Sequence, residues 1–584
     1  MGITFVASLP LTLRPSRAQL SPLRAPARAR SIRLVRMVSA PERTEASPAN
    51  VKVEPMSVLL PEKLSEEGIA LLSNTFSVVK KLDLTPETLL EEIPHHDAII
   101  IRSGTKMTKE VINAAKKLKV IGRAGVGVDN IDIPAATERG VLVVNAPTGN
   151  CVAAAEHSIA LLCSMARLIG PADATIKGEG WNRSAFVGAS LVDKTLGIVG
   201  LGRIGREVAK RARGLGMKVI ASDPFTSEEA AAAIGVTLVP FDEVLSGSDF
   251  ITLHIPLIDS TRNLLNAAAF DKMKQGVRII NAARGGIVVE EALLAAIESG
   301  KCAGAALDCF EYEPPHKHPG SISAKIVQNP KVLATPHLGA STREAQEDVA
   351  VEIATAVRDT LNGDMVATMI NAPAMAPEVL KALKPRAQLC ERLGRLTYYM
   401  SGEALQGEVA VDYHIPGAGD TRILRAGLIK GLMQPAISLP ISIVNAESVA
   451  AVHNLNLAET NHFPPSFDGS NEVVVTVKDC PVIEGRVVNG KPHVTRIGRF
   501  EVDLCLEGTI LCYSQDDCPG QMGRVGTLFG NANVNISSMT LARDKNSSKA
   551  LVLLGLDSDP SAELLKQVET TVNDDELLPL VIKF

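Results

Sequence analysis

Three side chains that together could take a proton from an alcohol stand at the ends of apolar runs. They are Arg284 in IINAARGGIVVE, Glu313 in DCFEYEPP and His337 in LATPHLGA. An arginine closing a run as apolar as VRIINAA must hold negative charge, because a buried guanidinium without a partner is costly. Its planar fork suits a carboxylate. Histidine is the commonest proton acceptor near neutral pH, and a carboxylate beside it fixes which ring nitrogen is free to act. Each residue also has an ordinary reading. Arg284 can face solvent at a helix start, Glu313 can be a loop charge before Pro314 and Pro315, and His337 can cap the helix that follows.

A glycine pattern upstream gives the trio a context. VGLGRIG places glycines at Gly200, Gly202 and Gly205, closing the apolar run TLGIVG and opening the helical stretch REVAKRARGLG. GxGxxG alone is weak, but here a second strand, KVIAS, follows and ends at Asp223. In that setting Gly200 makes the tight turn, Gly202 lets backbone approach a pyrophosphate, and Gly205 lets helix pack on strand. The helix amino terminus adds free N–H groups and a positive dipole end. Asp223 would accept hydrogen bonds from the adenosine ribose. A carboxylate there repels a 2′-phosphate, and Pro224 rather than arginine comes next, so NAD is expected over NADP. With a nicotinamide cofactor, the trio is what a hydride transfer from a hydroxy acid needs.

These residues need sheets to position them. MSVLL, FSVV, AIIIR, KVIGRAG and VLVVNA alternate with helical stretches such as LSEEGIALLSN. After the helical segment EHSIALLCSMARLI, a second series runs TLGIVG, KVIAS, VTLV, FITLHI, VRIINAA, AGAALDC and VLAT. Continuous apolar runs between helices predict parallel sheets buried on both faces. From Asn371-Ala372-Pro373 to about Leu506 the pattern turns to glycine-rich turns and alternating strands, as in EVVVTV and RFEVDLCL. The last stretch reads strand, helix, strand, strand, helix, strand, the ferredoxin-like order.

The totals exclude several classes. A net charge of -5 over 584 residues argues against a nucleic-acid binder. No run approaches the ~18 apolar residues of a membrane span. The nine cysteines form no CxxC pair, and His316 and His318 have no further ligand nearby, so no metal is expected. The first forty residues hold seven arginines and no acid, the make-up of an organelle transit peptide. VRMVSA resembles a chloroplast processing site, which points to the plastid stroma, with the mitochondrion as the alternative.

VGLGRIG, NAARGG, DCFEYEPP and TPHLGAST, in this order, strongly resemble the D-isomer-specific 2-hydroxyacid dehydrogenases. The resemblance implies that Arg284 grips the substrate carboxylate and that His337 takes the hydroxyl proton, oriented by Glu313. It also places Arg203, Ile204, Ile255, Ala282, Ala283, Asp308, Gly339 and Ala340 at the cofactor. LKVIGRAGVGVDNID and NAPTGNCVAAAEHSIALL resemble the phosphoglycerate-oxidising branch, where Arg102, Ser103, Arg123 and Asn150 would surround 3-phosphoglycerate. The end of the chain, with YSQDDCPGQMGRVGTLFGNANVNISSM, resembles an ACT domain, implying L-serine as regulator at Asp517 and Asn535.

The expected fold is therefore α/β, with two doubly wound parallel-sheet domains, one Rossmann-type and one flavodoxin-like. An α+β intervening domain and a ferredoxin-like ACT domain follow. The expected boundaries are 1–40 transit peptide, 56–149 with 338–371 substrate domain, 150–337 cofactor domain, 373–506 intervening domain and 508–584 ACT domain. The expected activity is NAD-dependent oxidation of 3-phospho-D-glycerate to 3-phosphohydroxypyruvate, opening a route to L-serine, in a homodimer or tetramer. A hydroxypyruvate or glyoxylate reductase and a NAD-sensing binding protein are the alternatives.

Overall fold

A computed structural model of the chain describes residues 55–364, 366–372, 377–402, 407–415, 420–462, 472–574 and 576–584. The arginine-rich leader expected at 1–40 lies outside the described residues.

Among the described residues four sheets follow one another. The first has five strands: Ser57–Leu60, Ser77–Lys80, Ala98–Ile101, Val120–Arg123 and Leu142–Asn145. All pair in parallel, in the order 2-1-3-4-5, the flavodoxin-like winding. Ala98–Ile101 is buried at every position, as a run as apolar as AIII requires when helices cover both faces. The chain leaves this sheet after Asn145 and returns with the helix Arg343–Leu361, whose Val349, Ile353, Ala354 and Val357 pack into the same core as Val58, Ile100 and Val120. Past that helix Asn371 ties the return to the edge strand, its Oδ1 accepting from Val143 N at 3.0 Å.

The second sheet has seven parallel strands. At its centre lie Thr195–Val199, Phe250–Leu253 and Val277–Asn281, flanked on one side by Lys218–Ser222 and Thr237–Leu238 and on the other by Cys302–Leu307 and Val332–Ala334. The order is Rossmann-type 3-2-1-4-5-6 with one strand added at the edge. Register puts Val199, Leu253, Asn281, Leu307 and Ala334 side by side. The loops that follow these five residues therefore open on one carboxyl edge.

The region beyond residue 376 holds more helix than its sequence suggested. The helix Pro377–Ser401 runs 25 residues with Pro385 inside it, and Arg422–Met433 and Ala446–Val452 join it on one face of a mixed six-stranded sheet. Leu383, Leu389, Cys390, Leu393 and Leu396 are buried, a helical spacing that the flanking prolines disguise in sequence. The final sheet has the ferredoxin-like order. Alternation along its strands serves two cores. Leu511, Tyr513, Val552 and Leu554 meet its own helices Gln521–Asn531 and Ala562–Val572, whereas Ile510, Cys512, Leu551 and Leu553 join the core of the preceding unit.

Candidate active site

The carboxyl edge of the second sheet carries the residues expected at the cofactor. Gly200 has φ of 93°, and a Cβ on it would fall 2.5 Å from the His254 carbonyl oxygen. A Cβ on Gly205 would fall 2.1 Å from Gly200 O, yet one on Gly202 would meet nothing within 4 Å. The turn is thus tight where helix meets strand and open where a pyrophosphate has to approach. Arg203 and Ile204 begin the helix Arg203–Gly214. Asp223 accepts from Leu201 N through Oδ2 at 2.7 Å and from Phe225 N through Oδ1 at 2.8 Å, and each oxygen keeps a lone pair for a ribose hydroxyl. Ile255 lies against Gly200, its Cγ2 2.6 Å from the position of the missing Cβ. The site fits a dinucleotide: Gly202 and the helix start would hold pyrophosphate, and Asp223 the ribose.

His337 and Glu313 meet. Nδ1 of His337 is 2.9 Å from Glu313 Oε2, and Glu313 Oε1 accepts from Phe310 N at 2.8 Å. The carboxylate thereby selects the tautomer with Nδ1–H and leaves Nε2 as the basic atom. The loop bearing Glu313 is anchored by Glu290, whose buried carboxylate accepts from Glu311 N at 2.9 Å and from Ser323 Oγ at 2.5 Å. Burial raises the Glu290 carboxyl above its ordinary value, against the pull of those two hydrogen bonds.

Arg284 reaches the other way, across the cleft. Its Nε donates to Asp129 Oδ2 at 2.7 Å and its Nη1 to Ala283 O at 2.6 Å. Ala283 N donates in turn to Asn281 Oδ1, and Asn281 Nδ2 donates to Arg284 O. The guanidinium presses on the backbone of the first sheet's loop: a Cβ on Gly127 would lie 1.6 Å from Arg284 Nη2.

Of the four residues expected at the substrate, Arg123 lies beside this contact with Arg102 next to it, Ser103 follows Arg102, and Asn150 starts the helix at the crossover. Arg123 ends the strand Val120–Arg123. Burial, then the Arg284 charge and with it Arg102, pushes its guanidinium down to about 10, against the pull of Glu62 and Asp129. Its Nε is buried without a hydrogen-bond partner, as is Asn150 Oδ1. Asn150 precedes the helix Cys151–Ala166. Arg102 and exposed Ser103 sit in a loop stiffened by Glu62, which accepts from the N–H groups of Arg102, Gly104 and Thr105 at 2.8, 3.1 and 3.0 Å. Asn130 Nδ2 closes the loop by donating to the carbonyls of Arg102 and Thr105.

Asp308 is 1% exposed and spends its carboxylate inside the protein, on Thr335 Oγ1, Leu338 N and Gly339 N. Gly339 lies between Asp308, Ala154 and Ala282, and Ala340 follows it half-buried. Asp517 and Asn535 are not brought together within the chain. Asp517 follows Asp516, which pairs with Lys549 at one end of the last sheet, and Asn535 precedes Ile536, which pairs with Leu556 at the other. Asp517 holds Arg543 at 2.9 Å, and Asn535 Nδ2 donates to Asp557 Oδ2 at 2.6 Å. Asp129, Glu62, Glu290 and His157 were not singled out from sequence. Asp129 and His157 stand inside the quoted stretches GVGVDN and EHSIALL, but nothing local marks them as site residues.

A Rossmann-type sheet facing a second doubly wound unit, with an oriented histidine at its carboxyl edge, defines a nicotinamide-dependent dehydrogenase. The family described as D-isomer specific 2-hydroxyacid dehydrogenase, NAD binding domain, matches residues 159–339. D-3-phosphoglycerate dehydrogenase 2, chloroplastic, of Arabidopsis thaliana is 45% identical over 532 residues, covering 88% of this chain and 84% of its own. The D-3-phosphoglycerate dehydrogenase of Archaeoglobus fulgidus is 41% identical over 518 residues, covering 88% and 97%. Among solved structures, a glyoxylate reductase from Paecilomyes thermophila aligns with a TM-score of 0.50 and 31% identity, covering 54% of this chain and 98% of that one. D-lactate dehydrogenase from Aquifex aeolicus, complexed with NAD and lactic acid, aligns with 0.50 and 26%, covering 54% and 99%. The chain belongs to the D-isomer-specific 2-hydroxyacid dehydrogenases, and it is an NAD-dependent oxidoreductase.

Proposed function

We propose that the chain oxidises the C2 hydroxyl of 3-phospho-D-glycerate to 3-phosphohydroxypyruvate, the first step of a phosphorylated route to L-serine. The observation that carries the reading is the convergence of Arg102, Arg123 and Arg284 at one cleft, with Arg123 Nε buried and unpaired. Asp129 and Glu62 offset part of this positive charge, and a substrate that brings a phosphate as well as a carboxylate suits three converging guanidinium groups better than a carboxylate alone. Bound NAD supplies the hydride acceptor. Arg284 grips the carboxylate and C2 oxygen, displacing Asp129 from part of the fork. His337 Nε2 accepts the hydroxyl proton, and Glu313 steadies the imidazolium so formed. Gly202, Arg203 and Asp223 hold the cofactor, with Ile255, Ala282, Ala283, Gly339 and Ala340 lining its place.

The test is kinetic. Arg102→Ala and Arg123→Ala should each raise the Michaelis constant for 3-phosphoglycerate by roughly 10- to 100-fold. Rates on unphosphorylated hydroxypyruvate should stay within about threefold if phosphate alone is lost. Unchanged constants for 3-phosphoglycerate would instead favour a hydroxypyruvate or glyoxylate reductase, a reading that the glyoxylate reductase neighbour supports over the first half of the chain. His337→Asn should abolish turnover. A parent protein that is equally inactive would point to a NAD-sensing binding protein.

L-serine is the proposed regulator. Asp517 and Asn535 are separated by the eight-residue length of the strand Thr509–Asp516, roughly 25 Å at the usual strand rise. A site using both takes one from each of two chains, which agrees with a homodimer or tetramer. Exposed Ile169, Ile176, Trp181 and Val187 offer apolar surface for such assembly. L-serine but not D-serine should lower the rate, and Asn535→Ala should weaken the effect. The arginine-rich first forty residues and the chloroplastic relatives support a place in the plastid stroma.

A further inference from the structure

The loop that carries His337 is held from outside its own strand. His337 has φ of 55°, a left-handed backbone that L side chains rarely adopt. Its N–H donates to Asp308 O at 2.9 Å and to Thr335 O at 3.0 Å. The next two N–H groups turn back onto the Asp308 carboxylate, Leu338 N to Oδ1 at 2.8 Å and Gly339 N to Oδ2 at 2.9 Å. Thr335 Oγ1 donates its single proton to Oδ1 at 2.6 Å.

A further donor comes from another element. His157 lies on the helix Cys151–Ala166, which the chain enters directly after crossing from the first sheet. Its Nε2 is 3.1 Å from Asp308 Oδ1 and 3.2 Å from Thr335 Oγ1. Both oxygens act as acceptors there, so Nε2 carries the proton whatever the charge of the ring. Without that N–H, the buried carboxylate would lose one of its compensating donors. Thr335 would keep its bond to Asp308 but lose the second of its two partners.

We propose that His157 is a positioning residue for the catalytic histidine. By tying Asp308 and Thr335 to the crossover helix, it holds the 335–339 loop in the one conformation where His337 Nδ1 meets Glu313. The inference rests on reading His337 as the proton acceptor.

His157→Leu removes the donor, whereas His157→Gln keeps an amide N–H at similar reach. His157→Leu should lower kcat roughly 10- to 100-fold, with the Michaelis constant and NADH affinity within about threefold of the parent. It should also enlarge the primary isotope effect on C2-deuterated substrate, because chemistry becomes slower than product release. His157→Gln should restore most of kcat. Loss of fold stability alone would lower the active fraction without touching the isotope effect. Should His157→Leu not fold, Thr335→Val removes the same contact together with the threonine's own bond to Asp308, and its kcat and isotope effect should move in the same direction. A kcat within twofold of the parent for the folded variant, or failure of the glutamine rescue, overturns the proposal. His337→Asn assayed beside them separates that outcome from failure of the underlying reading, since only the latter leaves His337→Asn active.

Discussion

Asp129 and Arg284, 155 residues apart, meet across the cleft with Oδ2 2.7 Å from Nε. The aspartate belongs to the unit that supplies Arg102 and Arg123, the arginine to the cofactor unit. The pair is partly exposed, 26% for Arg284 and 44% for Asp129, so it adds little to stability, on the order of 1 kcal/mol or less. Its consequence is geometric, because it points Nη2 at the Gly127 backbone and keeps the fork from swinging into solvent.

Asp129→Ala should therefore leave the melting temperature nearly unchanged while lowering kcat/KM for the hydroxy acid about tenfold, as the arginine samples other rotamers. Asp129→Asn keeps an acceptor for Nε and should fall between parent and alanine. Initial-rate kinetics with all three proteins checks the order. An alanine variant faster than the parent would mean that Asp129 only competes with substrate.

Much of this arrangement was legible in the sequence, for a physical reason. AIII and VRIIN are buried on both faces, so they read as continuous apolar runs, and Arg284, Asp308 and His337 follow runs whose ends lie in register. Asp129 and His157 were opaque for the opposite reason. Their partners are distant in sequence, and a lone histidine on an apolar helix looks like any satisfied core residue. The helix Pro377–Ser401 was hidden by Pro377 and Pro385, which punctuate a stretch that tertiary packing nevertheless keeps helical.

Glu290 gives a pH dependence with a definite sign. Its folded carboxyl titrates above the ordinary 4.5, burial being the main cause. The folded state thus prefers the protonated form, and the stability this contributes is complete below pH 4.5 and lost as pH rises through the displaced value. Glu290→Gln, which cannot ionise, should gain on the parent as pH goes from 5 to 8. Melting temperatures of the two proteins across that range supply the test, and a constant or shrinking difference contradicts the assignment. Asp308 runs the other way. Burial alone would raise it, but the hydrogen bonds from His157, Thr335 and Leu338 N together hold it low, so its contribution persists above the ordinary carboxylate value and is lost in acid.

Asp223 should set the choice of cofactor. Both its oxygens are oriented by backbone N–H groups, which fixes a negative charge where a 2′-phosphate would lie. Asp223→Ser should weaken NAD by about 10-fold and improve NADP, changing their ratio by 100-fold or more as repulsion is replaced by a donor. Comparing kcat/KM for the two cofactors settles it, and an unaltered ratio would move the ribose elsewhere.

The C-terminal half offers a test that leaves the chemistry alone. The helices Pro377–Ser401 and Arg422–Met433 touch backbone to backbone: a Cβ on Gly431 would lie 2.0 Å from Glu391 O and 2.8 Å from Arg395 N, and one on Gly394 would lie 2.6 Å from Leu428 O. Backbone atoms cannot step aside as a flexible side chain can, so Gly431→Ala must push the helices apart, at a cost of about 1–3 kcal/mol. The loss falls on a core that also includes Ile510, Cys512 and Leu553 of the last sheet, and none of its members belongs to the cores beneath the cofactor edge. In a multidomain chain such local damage should split melting into two steps, the C-terminal units unfolding first. Below that first step kcat should stay within about twofold of the parent, while any response to L-serine weakens. A single unshifted transition would show that the two helices are not packed as closely as this.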